Sequence, residues 1–399
     1  MSPVDPFIRQ AVLQHYKSIE SCSVELGSLT FLVGPNGSGK SNFLDALRFV
    51  SDALNMTVAD AVRDRGGIEE ISTRARGQGL LLKPPSFEIR LRFELDGVQG
   101  SYAIRIGGMR RGIVAREQCI LETDQGRAFF DVGAGSVMAS SLQHPPPAQD
   151  DSLYLVKASG WEEFRRVYDA LKGMAVYNFD LNKMRSPRRP DPTRLSGDGA
   201  NIASVLGLLE DDSPDTKQHI EEYLTRIVPG LAGVQRQPLD TYETLEFRQD
   251  VEGSRPWRFP SASMSDGTLR ALGILVALFQ GESSPEGHPR LVGIEEPELA
   301  LHPGASGLLL DALREASISR QVIVTSHSPD LLDDKRIRED QIIAVTSDHG
   351  TTRLGQLDAS GKRVLQERLS TPGELLRHSE LVPEEIAAQA HEPLFIDLH

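Results

Sequence analysis

The apolar positions along the chain change period several times, and each change marks an element. Phe7–Leu13, Cys22–Leu26 and Leu29–Val33 are short apolar runs that predict strands, the last ending at Gly34. Behind it Phe43, Leu44, Leu47, Val50 and Leu54 recur at helical spacing. A strand, a glycine-rich loop and a helix over Lys40–Leu54 therefore follow one another. From Ser86 the pattern alternates: Phe87, Ile89, Leu91, Phe93 and Leu95 interleave with polar or charged residues, as in a half-buried strand. Tyr102, Ile104 and Ile106 continue that period and Ile113–Leu121 supplies a third run, so the stretch to about Val132 reads as an antiparallel meander. Ser136–Asp151, with three consecutive prolines at 145–147, reads as a linker or surface loop.

Helical spacing returns over Trp161–Lys172, a short strand over Ala175–Phe179, and helices over Asn201–Leu209 and Thr216–Ile227, with an irregular Pro- and Arg-rich stretch at Asn182–Arg194. The pattern then predicts a strand (Thr241–Gln249), a helix (Thr268–Phe279), a strand (Leu291–Ile294), a helix (Gly304–Ala316) and two strands (Gln321–Thr325, Gln341–Thr346). Strands alternating with helices indicate an α/β fold with a parallel sheet. The resulting division is an N-terminal lobe over 1–134, a mainly helical insertion over 135–235 and a C-terminal lobe over 236–399.

Composition narrows the function classes. The 399 residues carry a formal charge of −14, and the charge is uneven. Residues 1–200 hold 25 basic and 24 acidic side chains, whereas 201–399 hold 18 and 33. Such acidity argues against a non-specific nucleic-acid coat. No apolar run approaches the ~20 residues of a membrane span, the N-terminus lacks a signal-peptide pattern, and Cys22 and Cys119 fit no disulfide or zinc spacing. A cytoplasmic location is the expectation.

Four motifs carry chemistry. Gly34, Pro35, Asn36, Gly37, Ser38, Gly39, Lys40 and Ser41 fit G-x-x-x-x-G-K-[ST] between a strand and a helix, with Asn42 next in line. Glycines there let backbone N–H groups wrap phosphates, Lys40 would reach the β- and γ-phosphates, and Ser41 would ligate Mg²⁺. In Leu291–Glu298 a buried strand delivers carboxylates at its C-terminal end: Glu295 to hold the metal and Glu296 to act as general base. Ser263–Arg270 opens an apolar helix with Ser265 and Gly267 at its start, an ordinary cap or an anion site. Val322–Asp330 ends a strand at His327, close enough in fold order to serve the same phosphate.

Together GPNGSGKS, SMSDGTLR, GIEEPELALHP and VTSHSPD resemble the ATPase head of the ABC superfamily, in its RecF, SMC and OLD-like branch, and most of all its stand-alone bacterial and archaeal ATPases. The resemblance implies ATP and Mg²⁺ as cofactors and two heads closing on two ATP molecules as a homodimer. It gives Ser265 and Gly267 the role of a signature loop reaching the other subunit's γ-phosphate, Glu298 through His302 that of the segment crossing the interface, and His327 that of a phosphate sensor. Departures are Met-Ser-Asp-Gly-Thr for the usual Leu-Ser-Gly-Gly-Gln, Glu295 where many relatives carry Asp, and no clear Q-loop glutamine, Gln118 being the nearest candidate. The halves are about 100 residues apart without heptads, against a coiled-coil arm, and residues 341–399 offer no Toprim nuclease pattern.

Two arginine-rich clusters, Arg105, Arg110, Arg111, Arg116 and Lys183, Arg185, Arg188, Arg189, Arg194, read as solvated faces or as a DNA-contacting surface. Arg63 and Arg65, or Arg74 and Arg76, are candidate cations for the nucleotide or partner subunit. The acidic stretch Glu367–His399, with a short helix over Glu384–Ala390, reads as a solvated end or a docking surface for a separate protein. The function expected is an ATP-driven dimerising switch in genome maintenance or phage defence, with any nuclease or toxin effector supplied by another chain. The alternative is a binding module that uses ATP structurally with negligible turnover. Lys40→Ala is expected to abolish steady-state phosphate release; a wild-type chain without turnover would favour the binding module.

Overall fold

The computed structural model describes residues 5–73, 84–108, 113–124, 126–250, 256–281, 288–384 and 393–398. Its strands are β1 (Ile8–Tyr16), β2 (Ile19–Glu25), β3 (Leu29–Val33), β4 (Ser86–Leu95), β5 (Val98–Gly107), β6 (Ile113–Thr123), β7 (Gly126–Gly133), β8 (Ser136–Ser140) and β9 (Ala175–Tyr177). They continue with β10 (Leu231–Leu239), β11 (Tyr242–Gln249), β12 (Trp257–Pro260), β13 (Leu291–Glu295), β14 (Gln321–Ser326), β15 (Ile342–Asp348) and β16 (Thr351–Gln356). Thirteen of these form one sheet in the order β8-β7-β6-β5-β4-β1-β2-β16-β15-β3-β14-β13-β9, and β10, β11 and β12 form a second, small one.

The large sheet has two halves of different character. From β8 to β2 every neighbouring pair is antiparallel, whereas β15, β3, β14, β13 and β9 run parallel to one another. The halves meet where β16 pairs with β2 through a bridge between Thr352 and Ile19. The parallel strands are apolar on both faces, because helices cover both. Leu29, Phe31 and Val33 of β3 enter one core, with the helices Ile202–Asp212, Pro214–Ile227, Asp266–Phe279 and Ser306–Ala316. Leu32 enters the other, with the helices Lys40–Asn55 and Glu162–Lys172 and the inner face of the meander. The helix Asp266–Phe279 is buried from Thr268 to its end, and beyond Arg270 its sequence is apolar on every face.

Two strands form where the sequence pattern signals none. Ser136–Ser140, expected as loop, pairs with β7 as an edge strand whose exposed and half-buried positions give no alternation. Leu231–Leu239 forms a hairpin with β11, turning at Asp240 (φ 55), although its Gln-Arg-Gln-Pro run is too polar to signal a strand. The short strand expected at Ala175–Phe179 forms as β9, which joins the central sheet beside β13 within the stretch taken as mainly helical. The helix expected over Glu384–Ala390 falls almost wholly outside the described residues.

One buried acid links the meander to the helical layer. Glu117 on β6 is fully buried, and its carboxylate accepts from the Leu155 N–H at 2.8 Å, from the Tyr154 N–H and from the Tyr102 hydroxyl at 2.9 Å. Burial pushes its pKa up from 4.5 to about 7, with those hydrogen bonds opposing. A raised folded-state pKa means a proton is taken up on folding, so the stabilisation is fully present below the unfolded pKa and lost as pH rises through about 7. The melting temperature is expected to carry a component that falls between about pH 5 and 8. Glu117→Gln should remove it; a variant as pH-dependent as the wild type would refute the assignment.

Candidate functional site

The glycine-rich loop leaves the C-terminal end of β3 and closes on the helix Lys40–Asn55. Gly39 caps that helix with φ 99 and no side-chain hydrogen bond, so no side chain competes for the first-turn N–H groups. Gly37 also has positive φ (75). At Gly34 and Gly39 the loop has no room for side chains. A Cβ on Gly34 would lie 1.9 Å from the Val345 carbonyl oxygen, and one on Gly39 would lie 2.0 Å from Thr352 Oγ1. The β15–β16 hairpin thus presses directly on the loop. Thr352 Oγ1 donates to the Ser38 carbonyl at 2.9 Å and sits 2.6 Å from Ser18 Oγ, which in turn accepts from Asn42 Nδ2 at 2.6 Å. Ser18 and Thr352 were not singled out in the sequence; they are 334 residues apart and belong to no local motif.

Lys40 is 4% exposed. Its ammonium donates to the carbonyls of Gly34 (2.9 Å) and Pro35 (3.0 Å), across the concave side of the loop. Burial lowers its pKa, and the nearby charges of Glu296 and Glu298 work against that. Pro35, Asn36 and Gly37 are exposed on the rim, whereas the Ser38 hydroxyl is buried without a hydrogen-bond partner. Asn42 is engaged with Ser18, so its amide holds the loop's flank.

Parallel pairing brings the acidic motif alongside. Glu295 ends β13, opposite Thr325 of β14, and β14 lies next to β3. Burial raises the Glu295 pKa, and a hydrogen bond from the Ser41 side chain opposes it. Ser41 and Glu295 therefore lie beside one another. One hydroxyl and one carboxylate are hard oxygen donors of the kind Mg²⁺ takes when phosphates and water supply the remainder. Glu296 adopts φ 43, an uncommon conformation for a side-chain-bearing residue, fixed by N–H bonds to Thr325 O and Oγ1, both at 3.1 Å. Its carboxylate oxygen is 3.0 Å from His327 Nδ1. Glu298 turns inward instead of lying on an outer surface: its side chain is 7% exposed and accepts from Ser326 Oγ at 2.7 Å and the His327 N–H at 3.2 Å. Its second oxygen is buried and unpartnered. Within Glu298–His302, expected to cross an interface between copies, Glu298 thus faces the site of its own chain, whereas Leu299, Ala300 and His302 are exposed.

Ser265 caps the helix Asp266–Phe279, accepting from the Thr268 N–H at 3.2 Å. Gly267 lies so close to the neighbouring segment that a Cβ would be 2.4 Å from the Ala300 carbonyl oxygen. Arg270, on the same helix, is 9% exposed and stands in the field of Glu296, Asp266 and Glu298. The motif gives it no role, and its burial is invisible in the sequence.

Other candidates are placed elsewhere. Gln118 is seven strands from β3, roughly 30 Å across the sheet, with its amide held by Asp131 (2.8 Å) and the backbone of Ile396 (2.8 and 2.9 Å), so it does not serve the nucleotide loop. Arg65 is 8% exposed and clamps Asp45 (2.9 Å) and Asp52 (2.7 Å) on the Lys40–Asn55 helix, so it is committed within the chain, whereas Arg63 is exposed and pairs with Asp60 (2.6 Å) three residues before it. In the clusters, Arg105 pairs with Glu88, Arg116 with Asp131, Lys183 with Asp198 and Arg185 with Asp266, while Arg194 donates to the Gly173 carbonyl. Arg74, Arg76, Arg110 and Arg111 lie outside the described residues.

Comparison with known proteins agrees with this geometry. The family model described as "AAA domain, putative AbiEii toxin, Type IV TA system" matches residues 29–333. The chain is 28% identical over 236 residues to the "Chromosome partition protein Smc" of Desulfitobacterium hafniense (strain Y51), covering 54% of this chain but only 18% of that protein. Two solved structures share the fold. An Smc head bound to the C-winged helix domain of ScpA has a TM-score of 0.52 and 16% identity, covering 90% of this chain and 99% of the other. A head domain with an extended coiled coil, bound to the C-terminal domain of ScpA derived from Pyrococcus furiosus, has a TM-score of 0.51 and 14% identity, covering 91% and 99%. No helix among the described residues is long and apolar enough to cross a membrane.

The close approach at Gly34 gives a direct test. Gly34→Ala is expected to lower stability by about 1–3 kcal/mol through overpacking against β15. Gly307→Ala, in a helix where a Cβ meets nothing within 4 Å, should be neutral or slightly stabilising. Thermal melts of the two variants that fail to separate would mean the hairpin yields.

Proposed function

The chain belongs to that family, an ABC-type ATPase head of the SMC and RecF-like branch, and on this premise we propose that it hydrolyses Mg-ATP between two copies of itself. The observation that carries the reading is the convergence of Lys40, the Ser41–Glu295 pair and the Glu296–His327 pair at the C-terminal ends of three adjacent parallel strands. That edge of an α/β sheet is where ligands bind.

The backbone N–H groups of the loop and the Lys40 ammonium hold the phosphates. Ser41 and Glu295 would hold Mg²⁺, which would supply charge neutralisation at the β- and γ-phosphates. Glu296 orients the attacking water and takes its proton as the bond from the γ-phosphorus to the bridging oxygen breaks. His327 steadies that carboxylate through the 3.0 Å contact. Ser265 and Gly267, at the capped start of a 14-residue helix, present an anion-binding N-terminus to the second copy's nucleotide. Gly267 against Ala300, and Arg270 in the field of Glu296 and Glu298, connect that surface to the reacting carboxylate within one chain.

The output is a change in the pairing of heads, used as a switch in DNA-associated work such as genome maintenance or phage defence, with the effector on another chain. Glu296→Gln removes the base while keeping the shape. With ATP and Mg²⁺ it is expected to elute as a stable dimer in size-exclusion chromatography and to release phosphate at least 100-fold more slowly than wild type, within the usual range for a lost general base (roughly 10²–10⁴-fold). A variant that stays monomeric under saturating ATP would overturn the two-copy arrangement.

A further inference from the structure

The polar face of the meander is covered by a segment from the far end of the sequence. Val12, Arg90, Ala103, Gln118 and Asp131 form one row across β1, β4, β5, β6 and β7, each directly opposite the next. They alternate with core residues, so period-two patterning assigns this face to solvent. Yet Arg90 is 1% exposed and Gln118 2%. Pro393–Leu398 lies over them. The Gln118 amide donates to the Ile396 carbonyl at 2.8 Å and accepts from the Ile396 N–H at 2.9 Å, and Arg90 donates to the Pro393 carbonyl at 2.9 Å. The Phe395 ring faces two guanidiniums, Arg105 at 5.2 Å and Arg116 at 4.6 Å, which Glu88 and Asp131 hold in place. Leu394 and Phe395 are buried against Val12 and Ala103, the two small side chains of the row.

These contacts have the form of peptide recognition. Every polar bond named to the segment goes to its main chain, which fixes the path of the backbone, bent at Leu394 and Phe395, whatever its side chains. The side chains are selected separately: an apolar residue and an aromatic one for the gap at Val12 and Ala103, and an acid two places later, where Asp397 stands in the field of Arg116. The four apolar residues form a cluster of their own, apart from both main cores, so the segment can leave without opening either.

We propose that this face of the meander is a docking site for a Leu-Phe-x-Asp segment of a partner protein, and that Pro393–Leu398 occupies it as an intramolecular competitor. The paired arginines suit an acidic, aromatic segment and disfavour a cationic one. The site stands apart from the nucleotide chemistry, so its test does not depend on ATP turnover.

A fluorescent peptide with the sequence of residues 391–398 is titrated by anisotropy into the full chain and into full-length Phe395→Ala, whose own segment has lost its anchor. The variant is expected to bind at least tenfold more tightly than the wild type, and a peptide with the same phenylalanine replaced by alanine should not bind. Equal binding by both chains, or none by a variant that melts at the wild-type temperature, overturns the proposal. If Phe395→Ala misfolds, Ile396→Pro serves the same comparison, since it deletes the N–H that Gln118 accepts and changes an exposed side chain. A wild-type dimer in light scattering that Phe395→Ala abolishes would assign the segment to exchange between copies and refute the partner reading.

Discussion

The phosphate loop works only because a second element lies flat against it. Gly34 and Gly39 are held against Val345 and Thr352 with no space for a methyl group, and Thr352 bonds the loop carbonyl of Ser38. The same threonine forms the bridge between β16 and β2, where the antiparallel and parallel halves of the large sheet join. The geometry of the anion site and the continuity of the sheet therefore rest on one small region. A loop whose N–H groups face inward has few internal hydrogen bonds, and it keeps its shape through contacts such as these.

Charge is organised around the same loop. The chain carries −14 overall, yet three of its glutamates, Glu295, Glu296 and Glu298, gather beside a buried lysine and a buried arginine. Carboxylates packed this closely are unfavourable unless cations answer them. Lys40 and Arg270 do so from different elements, one from the loop and one from the helix that begins at Asp266. The arginine-rich clusters have a different use. Arg105, Arg116, Lys183 and Arg185 are committed to carboxylates within the chain, and two of them also flank Phe395.

Much of the site was legible because its signals are local. Strand, glycines, lysine and helix over Leu29–Leu54 are contiguous, and Glu295, Glu296 and His327 each follow an apolar run at a strand end. The meander was legible through alternation, since one face of it packs on the core. Signals failed where tertiary partners replaced pattern. Ser136–Ser140 and Leu231–Leu239 are strands without apolar alternation, held by pairing with β7 and β11. Gln118 sits at a plausible position for a nucleotide-facing glutamine, but the order of strands carries it across the sheet.

The sequence by itself determined the α/β class, the phosphate loop and the identity of the carboxylates, because these depend on residues within about ten positions of one another. Tertiary structure alone decided which distant groups complete them. Ser18 and Thr352 close the loop, Arg270 answers the carboxylates, Glu298 turns inward, and Pro393–Leu398 covers a face whose pattern reads as exposed. The physical reason is that period and propensity report which face of an element is apolar. They carry no information on which remote polar group will meet a buried donor or acceptor once the strands are ordered in the sheet.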